Sequence, residues 1–129
     1  VIDHERVLQL NAIGQIAINV RDVPRAVAFY RDVLGMRHLF DAGPRMSFFD
    51  CGGVRLLLEA NEGAEHVQPA SILYYRVADL DGAHNHLVRH DVAILAAPAL
   101  IAKLPDHELW MCFFKDTEGN TLALMQERR

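Results

Sequence analysis

The chain reads as an α+β protein built from two tandem βαβββ modules. Three observations predict this. The order strand, helix, three strands occurs twice, and its landmarks recur at a constant offset: Asp79 follows Asp22, and Val77 follows Val20, by 57 positions each. Two segments carry a helical stripe, whereas the other apolar residues fall in short runs bounded by turn residues. Neither module is large enough to bury the oily face of a four-stranded sheet alone, so the two should pack into one structure.

Residues 1–11 mix charged and apolar side chains without a period and read as an N-terminal arm. Module 1 spans 12–61. Its first strand covers 13–20, with Ile16, Ile18 and Val20 alternating against Gln15, Ala17 and Asn19. Asp22 offers an N-cap and Pro24 suits a first helical turn. Val23, Ala26, Val27, Tyr30 and Leu34 then form one face of a helix, which Gly35 can stop. Strands over 36–40, 46–51 and 54–59 follow, separated by Ala42-Gly43-Pro44 and by a Gly52-Gly53 hairpin turn. Residues 61–70 are polar, with Gly63 and Pro69, and read as a linker. Module 2 spans 70–127: a strand over 71–77, a helix capped by Asp79 with Leu80, Ala83, His84, Leu87 and Val88 on its stripe, and a strand over 92–96. An insert holding Pro98, Lys103 and Pro105 precedes strands over 109–114 and 121–126, which flank a turn at 116–120.

Composition limits the function classes. With 129 residues, the chain suits one domain in which the two modules are halves. Apolar residues at 51% and charged residues at 23% are globular values. The 13 Lys and Arg against 17 Asp and Glu leave a net charge of −4, which offers no electrostatic reason to bind nucleic acid or an anionic membrane. Cys51 and Cys112 lie among apolar neighbours and read as small buried thiols, and reduced cysteines point to a cytoplasmic location as the expectation. The longest apolar run, 92–102, contains Pro98 and falls short of the roughly 20 residues of a membrane span. No basic segment followed by an apolar run opens the chain, so no signal peptide is expected.

The stretch from Ile16 through Asp22-Val23-Pro24 and Phe29-Tyr30 to Leu34-Gly35-Met36 resembles the opening of the vicinal oxygen chelate superfamily. That group includes glyoxalase I, bleomycin-resistance proteins, extradiol dioxygenases and methylmalonyl-CoA epimerase. Phe113-Phe114-Lys115-Asp116-Thr117-Glu118-Gly119-Asn120-Thr121-Leu122-Ala123-Leu124 looks like its closing turn and strand, with Thr117 in place of the usual proline and Glu118 in place of the usual aspartate. The resemblance covers 13–126. It implies a cup made by two curled mixed sheets, usually completed in a homodimer. In metal-dependent members the cup holds a divalent ion such as nickel, zinc, manganese or iron, bound by His, Glu or Gln from the first and last strands of each module. Carried over by position, those places are Gln15, Glu59, Ile72 and Ala123.

Gln15 and Glu59 can ligate a metal; Ile72 and Ala123 cannot, so the implied metal site is incomplete. The histidines do not complete it by pattern. His66 and His107 read as solvated residues near the cup mouth, His86 and His90 as an outer helix face, His84 as a packing residue, and His4 and His38 carry no constellation. Strand alternation places Gln15, Ala17, Asn19, Leu57, Glu59, Ile72, Tyr74, Arg76, Thr121, Ala123 and Met125 on the cup face, with Phe48 and Trp110 as walls. This lining is mostly apolar with a few polar groups, the usual make-up of a pocket for an organic ligand. Glu59 is the candidate catalytic residue, because a carboxylate on an inner sheet face is costly unless it is paired, hydrated or used. No phosphate loop or nucleophile elbow is present. The expectation is a glyoxalase- or bleomycin-resistance-like binder of a small organic molecule without a complete metal site. The alternatives are a divalent-metal-dependent lyase, isomerase or dioxygenase, or a structural dimer whose cup is plugged by Ile72 and Met125.

Overall fold

The computed structural model describes residues 8–60 and 71–129, and its element order is βαβββ twice. The first unit comprises β1 (Gln15–Asn19), α1 (Val23–Ala28) extended by a π-helical turn over Phe29–Val33, β2 (Arg37–Asp41), β3 (Met46–Cys51) and β4 (Val54–Glu59). The second comprises β5 (Leu73–Arg76), α2 (Leu80–Arg89), β6 (Ala93–Lys103), β7 (Glu108–Lys115) and β8 (Thr121–Arg128). Strand order is β1-β4-β3-β2 in one sheet and β5-β8-β7-β6 in the other. In each, the first pair is parallel and the rest are antiparallel. The two sheets are mixed and unclosed, and their helix-covered faces meet in one core. Residues 1–7 and 61–70, with His4, His66 and the expected linker, lie outside the described residues.

The repeat extends to the backbone. Asp22 and Asp79 adopt nearly the same extended conformation, φ −136° and −135°. Each accepts the N–H three residues on, from Arg25 and Gly82, at 3.0 Å. Gly35 ends the first helical segment at φ +70°, where other residues would be strained. Gly52 and Gly53 have φ +61° and +90°, the pair of positive values that a two-residue hairpin turn requires.

Alternate strand residues meet the helices. Ile18, Val20, Val23, Ala26, Phe29, Tyr30, Phe49, Leu56 and Leu58 of the first unit join Leu80, Leu87, Cys112, Phe114, Leu122 and Leu124 of the second in one core cluster. A polar network ties the units together at its edge. Glu118 is only 2% exposed, yet its Oε1 accepts the backbone N–H groups of Arg21 and Asp22 at 2.8 Å. Its Oε2 accepts from Arg25 Nε and Thr117 Oγ1 at 2.8 Å, and Arg25 Nη2 donates to Oε1 at 3.0 Å. Burial alone would raise this carboxyl, but the hydrogen bonds from Arg25, Thr117, Asp22 and Arg21 outweigh it and hold the group down to about 2. Beside it, the buried Tyr30 hydroxyl donates to Asp116 Oδ2 at 2.8 Å. Burial and the Asp116 carboxylate push that phenol far above its ordinary range. Asn120 Nδ2 donates to Asn19 O at 3.0 Å and so brings the start of β8 to the end of β1.

Four sequence expectations change. The strand expected over 92–96 continues through Pro98 and most of the insert as one strand, Ala93–Lys103, and only Pro105 of the three residues named falls outside it. It is tolerated because β6 is an edge strand, where Pro98 loses no bond on its outer side, and its register shifts absorb the misfit. Val88 is 51% exposed and leaves the helical stripe. His86 does not face solvent: its Nε2 donates to Val33 O of the first unit at 2.7 Å, with the His90 ring 4.3 Å away. Cys112 is buried as expected, but Cys51 is only half-buried.

Candidate functional site

The face of each sheet turned away from the core cluster carries the candidate site. Phe48, Leu57 and Ala123 are 7%, 6% and 0% exposed, yet none belongs to the helix-side core. They are buried on the other face. Register then orders its floor into two cross-strand rows. In the first sheet Ala17, Leu57, Phe48 and Phe40 lie side by side. Phe40 stacks on Phe48 at 4.7 Å, and the Arg55 guanidinium lies over the Phe48 ring at 5.8 Å. In the second sheet the row is Tyr74, Ala123, Phe113 and Ala96, with Tyr74 edge-on to Phe113 at 6.0 Å. Tyr74 and Phe40 remain 47% and 49% exposed, so aromatic surface is left uncovered. Ile72 is 38% exposed and Met125 half-buried; Met125 shares a row with Arg76 and Met111.

Trp110 corrects the sequence reading. It lies opposite Gln126, packs against the helix-side core, donates to Glu108 Oε1 at 3.0 Å and lies under the Arg128 guanidinium. Alternation decides this: Trp110, Cys112 and Phe114 share one face of β7, so Met111 and Phe113 take the other. Phe113, Phe40 and Arg55 also stand on this face, and sequence reasoning left Phe113 and Phe40 out of it. The doublets Phe48-Phe49 and Phe113-Phe114 carried a signal, since each must place one ring on either side of its sheet.

Register also bears on the ligand set that the resemblance implies. Gln15 lies opposite Arg55, whereas Glu59 lies opposite Asn19 and Met46. Four strand residues separate Gln15 from Glu59, about 13 Å along the sheet. Oxygen ligands stand within about 2.6 Å of a bound cation, so these two side chains, which rise from the sheet rather than lie along it, do not share one coordination sphere. The β4 residues beside Gln15 on this face are Arg55 and Leu57, and neither supplies a ligand. Ile72 and Ala123 offer no donor. Among the described residues no three His, Cys, Asp or Glu side chains gather closely enough to hold an ion. The residues present do not fit the metal centre that the resemblance implies, and Gln15 with Glu59 is corrected from a shared pair to two separate polar groups.

One catalytic-looking trio lies elsewhere. His38 Nε2 is 2.8 Å from Asp41 Oδ1 and 3.0 Å from Ser47 Oγ. Hydrogen bonds from Ser47 and His38 hold the Asp41 carboxyl below its ordinary range. Both partners meet the same ring nitrogen, and Ser47 is fully buried, so no relay from carboxylate through imidazole to an accessible hydroxyl exists. His107 sits between Asp106 and Glu127, at 2.8 and 3.1 Å.

Comparison with known proteins agrees with this architecture. The Glyoxalase/Bleomycin resistance protein/Dioxygenase superfamily matches residues 12–124. An integron cassette protein from the mobile metagenome of Vibrio cholerae is similar in structure, with a TM-score of 0.76 at 19% identity over 94% of this chain and 98% of that one. Lactoylglutathione lyase from Agrobacterium tumefaciens gives 0.69 at 20% identity, covering 89% and 92%. A glyoxalase/bleomycin resistance protein/dioxygenase from Alicyclobacillus acidocaldarius gives 0.71 at 18% identity, covering 91% and 92%. At these identities the structures speak to fold alone. No curated protein matches the chain. No helix among the described residues is long and apolar enough to cross a membrane. The match across 12–124 and the doubled βαβββ sheets together place this chain in the glyoxalase/bleomycin resistance/dioxygenase superfamily.

Proposed function

We propose that the chain binds a small, largely apolar or aromatic organic molecule in its cup, without a complete family-type metal site. The observation that carries this reading is the pair of apolar rows, Ala17-Leu57-Phe48-Phe40 and Tyr74-Ala123-Phe113, with half-exposed aromatic rings at Phe40 and Tyr74. Such a surface favours a flat ring over a hydrated anion. Gln15, Asn19 and Glu59 are the polar groups that would orient it. The reading includes a homodimer, in which a second copy would cover the exposed rings and the edge strands β2 and β6. The protein would work in the cytoplasm, where its two thiols stay reduced.

A second reading, a divalent-metal-dependent lyase, isomerase or dioxygenase, draws on Glu59, a carboxylate placed on a mostly apolar face. Elemental analysis of gently purified protein and thermal shift with nickel, zinc, manganese and iron(II) separate the two. The binder reading expects no stoichiometric metal and no metal-specific stabilisation, but a rise in melting temperature with apolar aromatic ligands that Tyr74→Ala abolishes. A tightly held metal would overturn it. Sedimentation showing a monomer at micromolar concentration would remove the dimer.

A further inference from the structure

A hollow of about 670 Å³ opens on the helix-covered side of the sheets, between the two units. The tandem repeat explains its presence. At the junction described above, Asp116 stands two residues after the core Phe114 and accepts from Tyr30, while Glu118 reaches the start of α1. At the equivalent junction Cys51 stands two residues after the core Phe49, and Leu87, 57 positions beyond Tyr30, faces it. The turn that follows is Gly52-Gly53, which has no side chains to send across. The start of α2 is served from its own unit instead, since Gln126 Oε1 accepts from Leu80 N–H at 3.0 Å and its Nε2 donates to Ala78 O at 2.8 Å. Where one junction holds a carboxylate network, the other is left open.

Its walls name the chemistry of an occupant. Cys51, Tyr75, Leu87, Phe114 and Leu124 make it mainly apolar. The charged residues that border it are Asp32 and Asp50 against Arg37 and Arg76, two of each sign, which leaves no net attraction for an ion. The Tyr75 hydroxyl is buried with no hydrogen-bond partner among the described residues, a costly state for a donor. The volume falls within the range of pockets that enclose small ligands.

We infer that this inter-module cavity is a binding site for a small, uncharged, mainly apolar molecule bearing one hydrogen-bond acceptor, a carbonyl or ether oxygen, which takes the Tyr75 hydroxyl. Its apolar lining, Tyr75, Leu87, Phe114 and Leu124, belongs to the helix side of the sheets, opposite the face that carries Phe48, Leu57 and Ala123.

Acetophenone and ethylbenzene, matched in size but with and without an acceptor, test this by titration of ¹⁵N-labelled protein. The expected result is amide shifts grouped around Gly52, Tyr75–Val77 and Ala83–Leu87, with acetophenone bound roughly fivefold more tightly. Tyr75→Phe removes that preference and keeps ethylbenzene binding. Ala83→Phe, which fills the space, abolishes both. Should that variant fail to fold, a bulky aryl disulfide attached to Cys51 of the unmodified sequence gives the same block. Shifts centred on Glu59, Tyr74 and Ala123 would put the ligand in the cup and overturn the inference, as would no binding of either probe at millimolar concentration. An acetophenone preference that survives Tyr75→Phe would overturn the assigned hydrogen bond.

Discussion

Replacing Glu118 with Gln should cost about 3 kcal/mol at neutral pH, and the cost should vanish in acid. Glu118 receives five hydrogen bonds, from the N–H groups of Arg21 and Asp22, both ends of the Arg25 fork, and Thr117. A glutamine carbonyl at the Oε1 position keeps the two backbone donors satisfied. Its NH₂ then meets Arg25 Nε donor to donor, and Arg25, half exposed, swings into solvent. The carboxyl is held at about 2 against an ordinary 4.5. At 1.36 kcal/mol per unit this is a stabilisation of about 3 kcal/mol. Because the folded value lies below the unfolded one, the stabilisation is complete above pH 5 or so and is lost as pH falls toward 2. Urea unfolding of both proteins from pH 7 to pH 3 measures the difference. The gap should shrink from about 3 to about 1 kcal/mol across that range. A gap that stays constant with pH would show that packing, not the ionised carboxylate, holds this junction. Equal stability at pH 7 would refute the reasoning outright.

Tyr30→Phe should destabilise the protein by about 1–2 kcal/mol, because it leaves the ring in place and removes the 2.8 Å bond to Asp116; combining it with Glu118→Gln in a double-mutant cycle should show coupling between the two, and strict additivity would mean that they do not act as one network. Of the two thiols, Cys51 should react slowly with an aromatic disulfide reagent in the native protein and Cys112, 1% exposed, only after unfolding; burial pushes both thiols up, with Asp50 adding to the effect at Cys51, so two equally fast thiols would contradict the packing. Glu59→Gln should abolish any metal-dependent turnover that the protein is found to have, and unchanged turnover would remove Glu59 from the chemistry.

The local elements were legible because their causes are local. Asp22 and Asp79 cap helices through the N–H three residues on, and Gly52-Gly53 supplies two positive φ values; neither needs a distant partner. The bounds of β3 and β4, the apolar stripe of α1 and the 57-residue repeat follow from the same short-range rules. The two faces of β1 were readable as well, since alternation puts Ile16, Ile18 and Val20 on the helix side and Gln15, Ala17 and Asn19 on the other.

Whatever depended on which strands lie side by side was decided by the tertiary structure. Gln15 and Glu59 look like partners until the β1–β4 register sets them at opposite ends of the pairing. Trp110 looks like a pocket wall until β7 turns it to the helices. Pro98 looks like a strand breaker until β6 proves to be an edge. Glu118 reads as a turn residue, but Arg21, Asp22 and Arg25 lie more than ninety positions away in sequence. Periodicity reports the direction of a side chain relative to its own strand or helix; it carries no information on the translation of one strand against the next, and contacts between modules depend on that translation.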